Sequence, residues 1–240
     1  MITILLITDS RGKGVRSLIK DRPKLTSSGN IINWDIQVLP GATLESIQKR
    51  IERGNRRGTW DHIIVLAGIC SFTSKSTGRG KKLIEYKIRK LEENCRTIEE
   101  LLEKRNIHLC TITPAVLQKA SDRQDQQVEI EQTHLEEDIA DTNQFIIQKN
   151  IERDTPTIDL AKLSTIRSIK KQGNKKKRII KLDKKDLEDG VHPSATLQES
   201  WTNRIIDFVE KITQDVIPPS DDYSTEEEPE TWNFKRQGRT

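Results

Sequence analysis

Aromatic side chains are scarce in this chain: they make up 4% of its 240 residues, and a single methionine accompanies them. A core must therefore be built from Ile, Leu and Val, and little is available to make a stacking platform for unpaired bases. Cysteine is scarce as well. Cys70, Cys95 and Cys110 lie in or beside apolar segments without metal-ligand spacing, which argues against a disulfide framework and points to reduced thiols in a cytoplasmic or nuclear compartment. No residue cluster calls for a metal or a cofactor. Long apolar runs are missing: residues 4–7, Ile-Leu-Leu-Ile, follow no basic leader and soon meet Asp9, so neither a signal peptide nor a membrane span of roughly 20 residues is expected. There is no internal repeat.

What is present is a polar composition, 33% hydrophobic and 32% charged, in a chain long enough for one domain of ordinary size and its tails. Short β-branched runs at Ile2–Ile7, Asp35–Leu39, His62–Ala67, Ile107–Ile112 and Thr157–Leu160 alternate with segments of helical periodicity at Val15–Lys20, Thr43–Arg53, Lys82–Lys104, Val128–Arg153 and Leu197–Ile212. This alternation predicts a three-layer α/β fold around a five-stranded, mostly parallel sheet, with ligands gathering at the C-terminal ends of the strands. Ser10, Gly41 and Gly68 each follow such an end.

Charge is unevenly spread. Residues 167–185 hold ten Lys or Arg against the single acid Asp183 and contain Gly173-Asn174, which reads as a turn. From Pro218 onward the chain carries six acids and three bases and little that could be buried, the signature of a disordered acidic tail. The expected organisation is one domain over 1–217, with a basic excursion at 167–185, and a disordered tail over 218–240.

Two motifs carry chemistry. Thr8-Asp9-Ser10-Arg11 puts a serine at the end of the first strand, and Asp189-Gly190-Val191-His192-Pro193 puts a carboxylate three residues before an imidazole. Together they supply the groups of Ser-His-Asp acyl transfer: one short loop can hold Asp189 near one nitrogen of His192 and present the other nitrogen to Ser10. The backbone N–H groups of Ser10 and Gly41 are candidate donors to the oxyanion. The other histidines have plainer roles. His62 and His108 adjoin or lie in strands and read as structural, and His134 sits in a charged helix and reads as solvated. Cys70 reads as a small buried side chain rather than a nucleophile.

Asp-Ser near residue 10, Gly41-Ala42-Thr43 opening a helix, Ala67-Gly68-Ile69-Cys70 after the third strand and Asp189–Pro193 before the last helix match, in order and spacing, the SGNH (GDSL-type) hydrolases. The resemblance covers roughly residues 1–213. Asn143, Phe145, Thr113-Pro114 and Thr157–Leu160 look like further family habits. The resemblance implies a flavodoxin-like sandwich and a metal-free esterase or thioesterase acting on a small-molecule or lipid acyl ester, with Ser10 as nucleophile, His192 as base and Asp189 as its orienting partner. Two positions depart from the pattern. Thr8 replaces the usual glycine, and Cys70 stands where the family has the Asn that gives the oxyanion a third hydrogen bond. A thiol is a weak donor, so the oxyanion hole is expected to be weakened unless Ser71, Thr73 or Ser74 substitutes.

The basic excursion supports a second reading: a catalytically degenerate SGNH-like domain, of a kind that mobile elements or viruses also encode, binding RNA or DNA. Lys175, Lys176, Lys177 and Arg178 would contact phosphates by counterion release, without base specificity. The plain alternative for this segment is a solvated loop.

Overall fold

The computed structural model describes residues 1–22, 24–55, 60–73, 81–115, 125–172, 175–182, 184–188 and 192–214, and for 55, 81–89, 125–131, 165–172, 175–182 and 184 the backbone alone. The turn expected at Gly173-Asn174, the carboxylate of Asp189 and the acidic tail fall outside these residues.

Four parallel strands, β1 (Ile2–Thr8), β2 (Ile32–Val38), β3 (His62–Leu66) and β4 (Ile107–Leu109), form a sheet in the order β2-β1-β3-β4. Consecutive residues of the central strands point to opposite faces, and both faces are covered. Leu5, Ile7, Ile63 and Val65 join one core with Leu44, Ile47 and Ile51 of α2 (Leu44–Asn55), Ile98, Leu101 and Leu102 of α4 (Lys81–Leu102) and Leu135, Ile139 and Ile146 of α5 (Asp125–Glu152). Ile4, Leu6, Ile64 and Leu66 join the other with Val15 and Ile19 of α1 (Lys13–Lys20) and Leu197, Trp201, Ile205 and Phe208 of α6 (Ala195–Gln214). Three- and four-residue steps give each helix one apolar stripe. The result is the three-layer sandwich, with β1 as the strand from which the chain winds to both sides.

The strands differ from expectation at the far edge. Beyond β4, Cys110 N and Thr111 N still donate to Val65 O and Ile158 O, and then Asn143 takes over the backbone of Ile112, accepting from its N–H at 2.6 Å and donating to its carbonyl at 2.8 Å. The fifth strand is reduced to one parallel bridge between Ile158 and Cys110. Pro156 brings no N–H to a ladder, and the Asp159 carboxylate accepts from Thr111 Oγ1 and Lys162 N. The chain therefore bends at once into the 3₁₀ turn Ala161–Ser164.

The basic excursion is an antiparallel ribbon rather than a loop: β5 (Thr165–Gln172) pairs with β6 (Lys175–Leu182) in a sheet of its own. Ile166, Ile169, Ile179 and Ile180 supply the β-branched character that the lysines obscure.

Candidate active site

β1 delivers the chain to the sheet's C-terminal edge, where Asp9 turns it. Its carboxylate accepts from Arg11 N at 3.0 Å and caps the 3₁₀ turn Ser10–Gly12. The turn is locked from below by the Arg11 side chain. Arg11 Nη2 meets Asp9 Oδ2 at 3.2 Å, and Nη1 reaches 102 positions along the chain to donate to the Thr113 carbonyl at 2.8 Å. Asp9 and Arg11 are 1% and 3% exposed, so the ion pair is shielded from water while Ser10, between them, stays half-buried. Gly12 makes the turn sterically feasible: a Cβ there would stand 1.9 Å from Thr8 Oγ1. The threonine at position 8 thus depends on the absence of a side chain at 12.

His192 arrives from the other side. An antiparallel bridge between Leu187 and Pro193, with Glu188 N donating to His192 O at 2.8 Å, closes a tight loop. Ser194 N donates to Asp186 O, and Gln198 of α6 ties down the Pro193 carbonyl at 2.7 Å. Ser10 Oγ and His192 Nε2, 182 positions apart in sequence, lie 3.2 Å from each other. Asp189 belongs to this loop in sequence but not to the described residues.

The remaining candidates surround the same edge. Gly41 follows β2 in a left-handed conformation, φ +72°, with nothing within 4 Å of where a Cβ would be; only glycine is at ease there. Gly41 also lines an open groove of about 510 Å³ with Leu39, Pro40, Ala42, Lys49, Arg50 and Arg53. Cys70 is the second residue of α3 (Ile69–Thr73) and half-buried. Burial, followed by the Asp9 charge, raises its thiol pKa, with Arg11 opposing, so the group stays protonated and is a poor nucleophile. Of its suggested substitutes, Thr73 spends its hydroxyl proton on Ile69 O at 3.1 Å, whereas the buried Ser71 Oγ accepts from Leu44 N at 2.9 Å and keeps its own proton. Ser74 lies outside the described residues.

His62 and His108 are elsewhere. His62 opens β3, at the end of the strand opposite Ser10, and its Nδ1 lies 3.2 Å from His108 Nε2. Burial, then His62 and Arg153, push the His108 pKa down to about 3. His134 is exposed on α5. Among the described residues no group of three His, Cys, Asp or Glu side chains is placed to hold a metal, and no helix is long and apolar enough to cross a membrane. Arg11 is the site residue that sequence reasoning missed. Its only local signal is an opposite charge two residues away, and its other partner, Thr113, is remote in sequence.

No protein-family model matches the sequence, and no curated protein does. Solved structures do. A lipase/acylhydrolase from Enterococcus faecalis superposes with a TM-score of 0.55 at 19% identity, covering 88% of this chain and 97% of that one. An acetylxylan esterase from Geobacillus stearothermophilus gives 0.55 at 14%, over 87% and 94%. A GDSL-like lipase from Bacteroides thetaiotaomicron gives 0.52 at 14%, over 89% and 88%. At these identities the likeness is one of fold: the chain has the three-layer α/β architecture found in these lipases and esterases.

Proposed function

We propose that the chain is a divergent SGNH-type serine hydrolase that cleaves an ester or thioester of a small molecule or lipid through Ser10, His192 and Asp189, within a domain spanning residues 1–217. The observation that carries this reading is the 3.2 Å contact between Ser10 Oγ and His192 Nε2 at the C-terminal edge of the sheet. It is the hydrogen-bond reach that a nucleophile and its base require.

Ser10 Oγ attacks the acyl carbonyl carbon as its proton passes to His192 Nε2. The tetrahedral intermediate collapses when the bond from the acyl carbon to the alcohol oxygen, or thiol sulfur, breaks and His192 returns the proton to the leaving group. Water then attacks the Ser10 ester, giving its proton to His192, and the carboxylic acid departs as Oγ is reprotonated. Asp189 holds the imidazole tautomer and favours the imidazolium. The N–H groups of Ser10 and Gly41 are the proposed oxyanion donors, with the Cys70 thiol as a weak third where the family carries Asn. Losing one full donor typically lowers turnover about 10²–10³-fold, so slow hydrolysis is expected.

Short-chain p-nitrophenyl esters test the assignment. Slow turnover should vanish in both Ser10→Ala and His192→Ala, and Cys70→Asn should raise it by restoring an amide donor. Turnover retained in Ser10→Ala would remove the serine from the mechanism. An unchanged rate in Cys70→Asn would mean that Cys70 does not face the oxyanion.

A further inference from the structure

The ribbon β5–β6 has no part in the hydrolase reading, yet it carries the highest net charge of any element. Its sixteen paired positions carry Arg167, Lys170, Lys171, Lys175, Lys176, Lys177, Arg178 and Lys181, with no acid and no aromatic residue. Register makes this costly: Lys170 stands opposite Lys177 and Lys171 opposite Lys176. Like charges directly across a ladder repel. A two-stranded ribbon is also marginal by itself, and this one shares no ladder with the central sheet. A sequence that stacks two repulsive rungs at the free end of such an element fits a ribbon that meets a polyanion there.

The geometry selects among polyanions. Successive rungs belong to opposite faces of a ribbon, so the Lys171–Lys176 rung and the Lys170–Lys177 rung lie on different faces, and Lys175 and Arg178 extend one face each. A bilayer surface or a single strand lying along the ribbon would engage one face and leave the other unneutralised. Single-strand binders also rely on aromatic stacking, and the ribbon has no aromatic residue. A groove with phosphates on both walls satisfies both faces. The B-form major groove, about 12 Å wide, admits a two-stranded β-ribbon, whereas the A-form major groove is deep and narrow.

We propose that β5–β6 is a duplex-DNA-binding ribbon that enters the major groove and contacts backbone phosphates on both sides, without reading bases. Its root is the His192 loop: β6 ends at Leu182 and the loop closes at the Leu187–Pro193 bridge. The proposed contacts are at the opposite end of the ribbon from this root, and the proposal stands independently of hydrolysis.

Fluorescence anisotropy on the full chain decides it, using a mixed-sequence DNA duplex of about 20 base pairs, the single strand of equal length, the matching RNA duplex, and phosphatidylcholine–phosphatidylserine vesicles. If four of the six distal cations reach phosphates, the log-log salt slope for duplex DNA is about −3.6, roughly a 150-fold loss of affinity between about 50 and 200 mM salt. Replacing Lys175, Lys176, Lys177 and Arg178 with Ser should bring the slope to about −1.8 or shallower, since two distal cations remain. The milder Lys176→Thr/Lys177→Thr variant keeps strand propensity and removes one charge from each repulsive rung. It should flatten the slope by up to about 1.8 without lowering the melting temperature, since the repulsion across both rungs is relieved. Binding to single strands, RNA duplex or vesicles as tight as to duplex DNA would overturn the proposal. So would a slope indifferent to both variants, or no binding at about 50 mM salt.

Discussion

Replacing Arg11 by leucine should destabilise the protein severely, although the residue touches no substrate in the proposed reaction. Its side chain is 2% exposed, faces an Asp9 side chain that is 1% exposed, and spans from there to the Thr113 carbonyl. Without it, Asp9 keeps one backbone donor, the N–H of residue 11, and otherwise holds a buried charge with no counter-ion. Breaking one side of a buried pair costs about 3–5 kcal/mol, a large part of a stability of roughly 5–15 kcal/mol. For a chain of this size that corresponds to a fall in melting temperature of about 6–20 °C. Urea unfolding followed by tryptophan fluorescence, to which the fully buried Trp201 contributes, reads the change. The double variant Asp9→Asn/Arg11→Leu should lose much less than the sum of the single losses, because it removes both charges. A loss below about 1 kcal/mol in Arg11→Leu, or strict additivity in the double variant, would refute the idea that this pair anchors the Ser10 turn.

Other outcomes follow from neighbouring contacts. Gly12→Ala should cost about 1–3 kcal/mol by overpacking, because the new methyl meets Thr8 Oγ1 at 1.9 Å; adding Thr8→Gly should recover part of that loss, and a denaturation cycle with no coupling would contradict the contact. Acid should destabilise the fold through His108, whose pKa lies near 3 in the folded state against 6.5 as the ordinary value. The unfolded chain binds the proton first, so stability present above about pH 6.5 is lost at about 1.4 kcal/mol per pH unit as pH falls toward the folded value. In His108→Gln the slope between about pH 6 and pH 4 should be shallower by that amount, and an unchanged slope would rule His108 out as its source.

The interior of the fold was legible where burial dictates composition. Ile4–Ile7 and Ile63–Leu66 are apolar at every position because both faces are covered, and the helices show the stripes that cover them. The far edge was harder to read. A β-branched run at 157–160 looks like a strand, but Asp159 spends its carboxylate on Thr111 Oγ1 and Lys162 N and bends the chain after a single bridge. β5 and β6 were hidden by their lysines, since charge suppresses the apolar alternation by which strands are recognised. Ser10 and His192, which lie 3.2 Å apart, could be paired because a serine after a first strand and an Asp-x-x-His before the last helix match the block order of the family the sequence resembles. Arg11 could not, because its role depends on Thr113 arriving from the end of another strand. The hydrogen bonds that Ser71 accepts from Leu44 N and Thr73 donates to Ile69 O are likewise properties of packing.

The central claim is that Ser10 is a nucleophile activated by His192, and covalent labelling with a fluorophosphonate, read as the mass of the intact protein, tests it most directly. The account predicts a single adduct that maps to Ser10, is absent in Ser10→Ala and forms far more slowly in His192→Ala, since the histidine takes the hydroxyl proton as the phosphorus is attacked. An adduct that persists in Ser10→Ala, or a chain that stays unlabelled under conditions that modify other serine hydrolases completely, would contradict it.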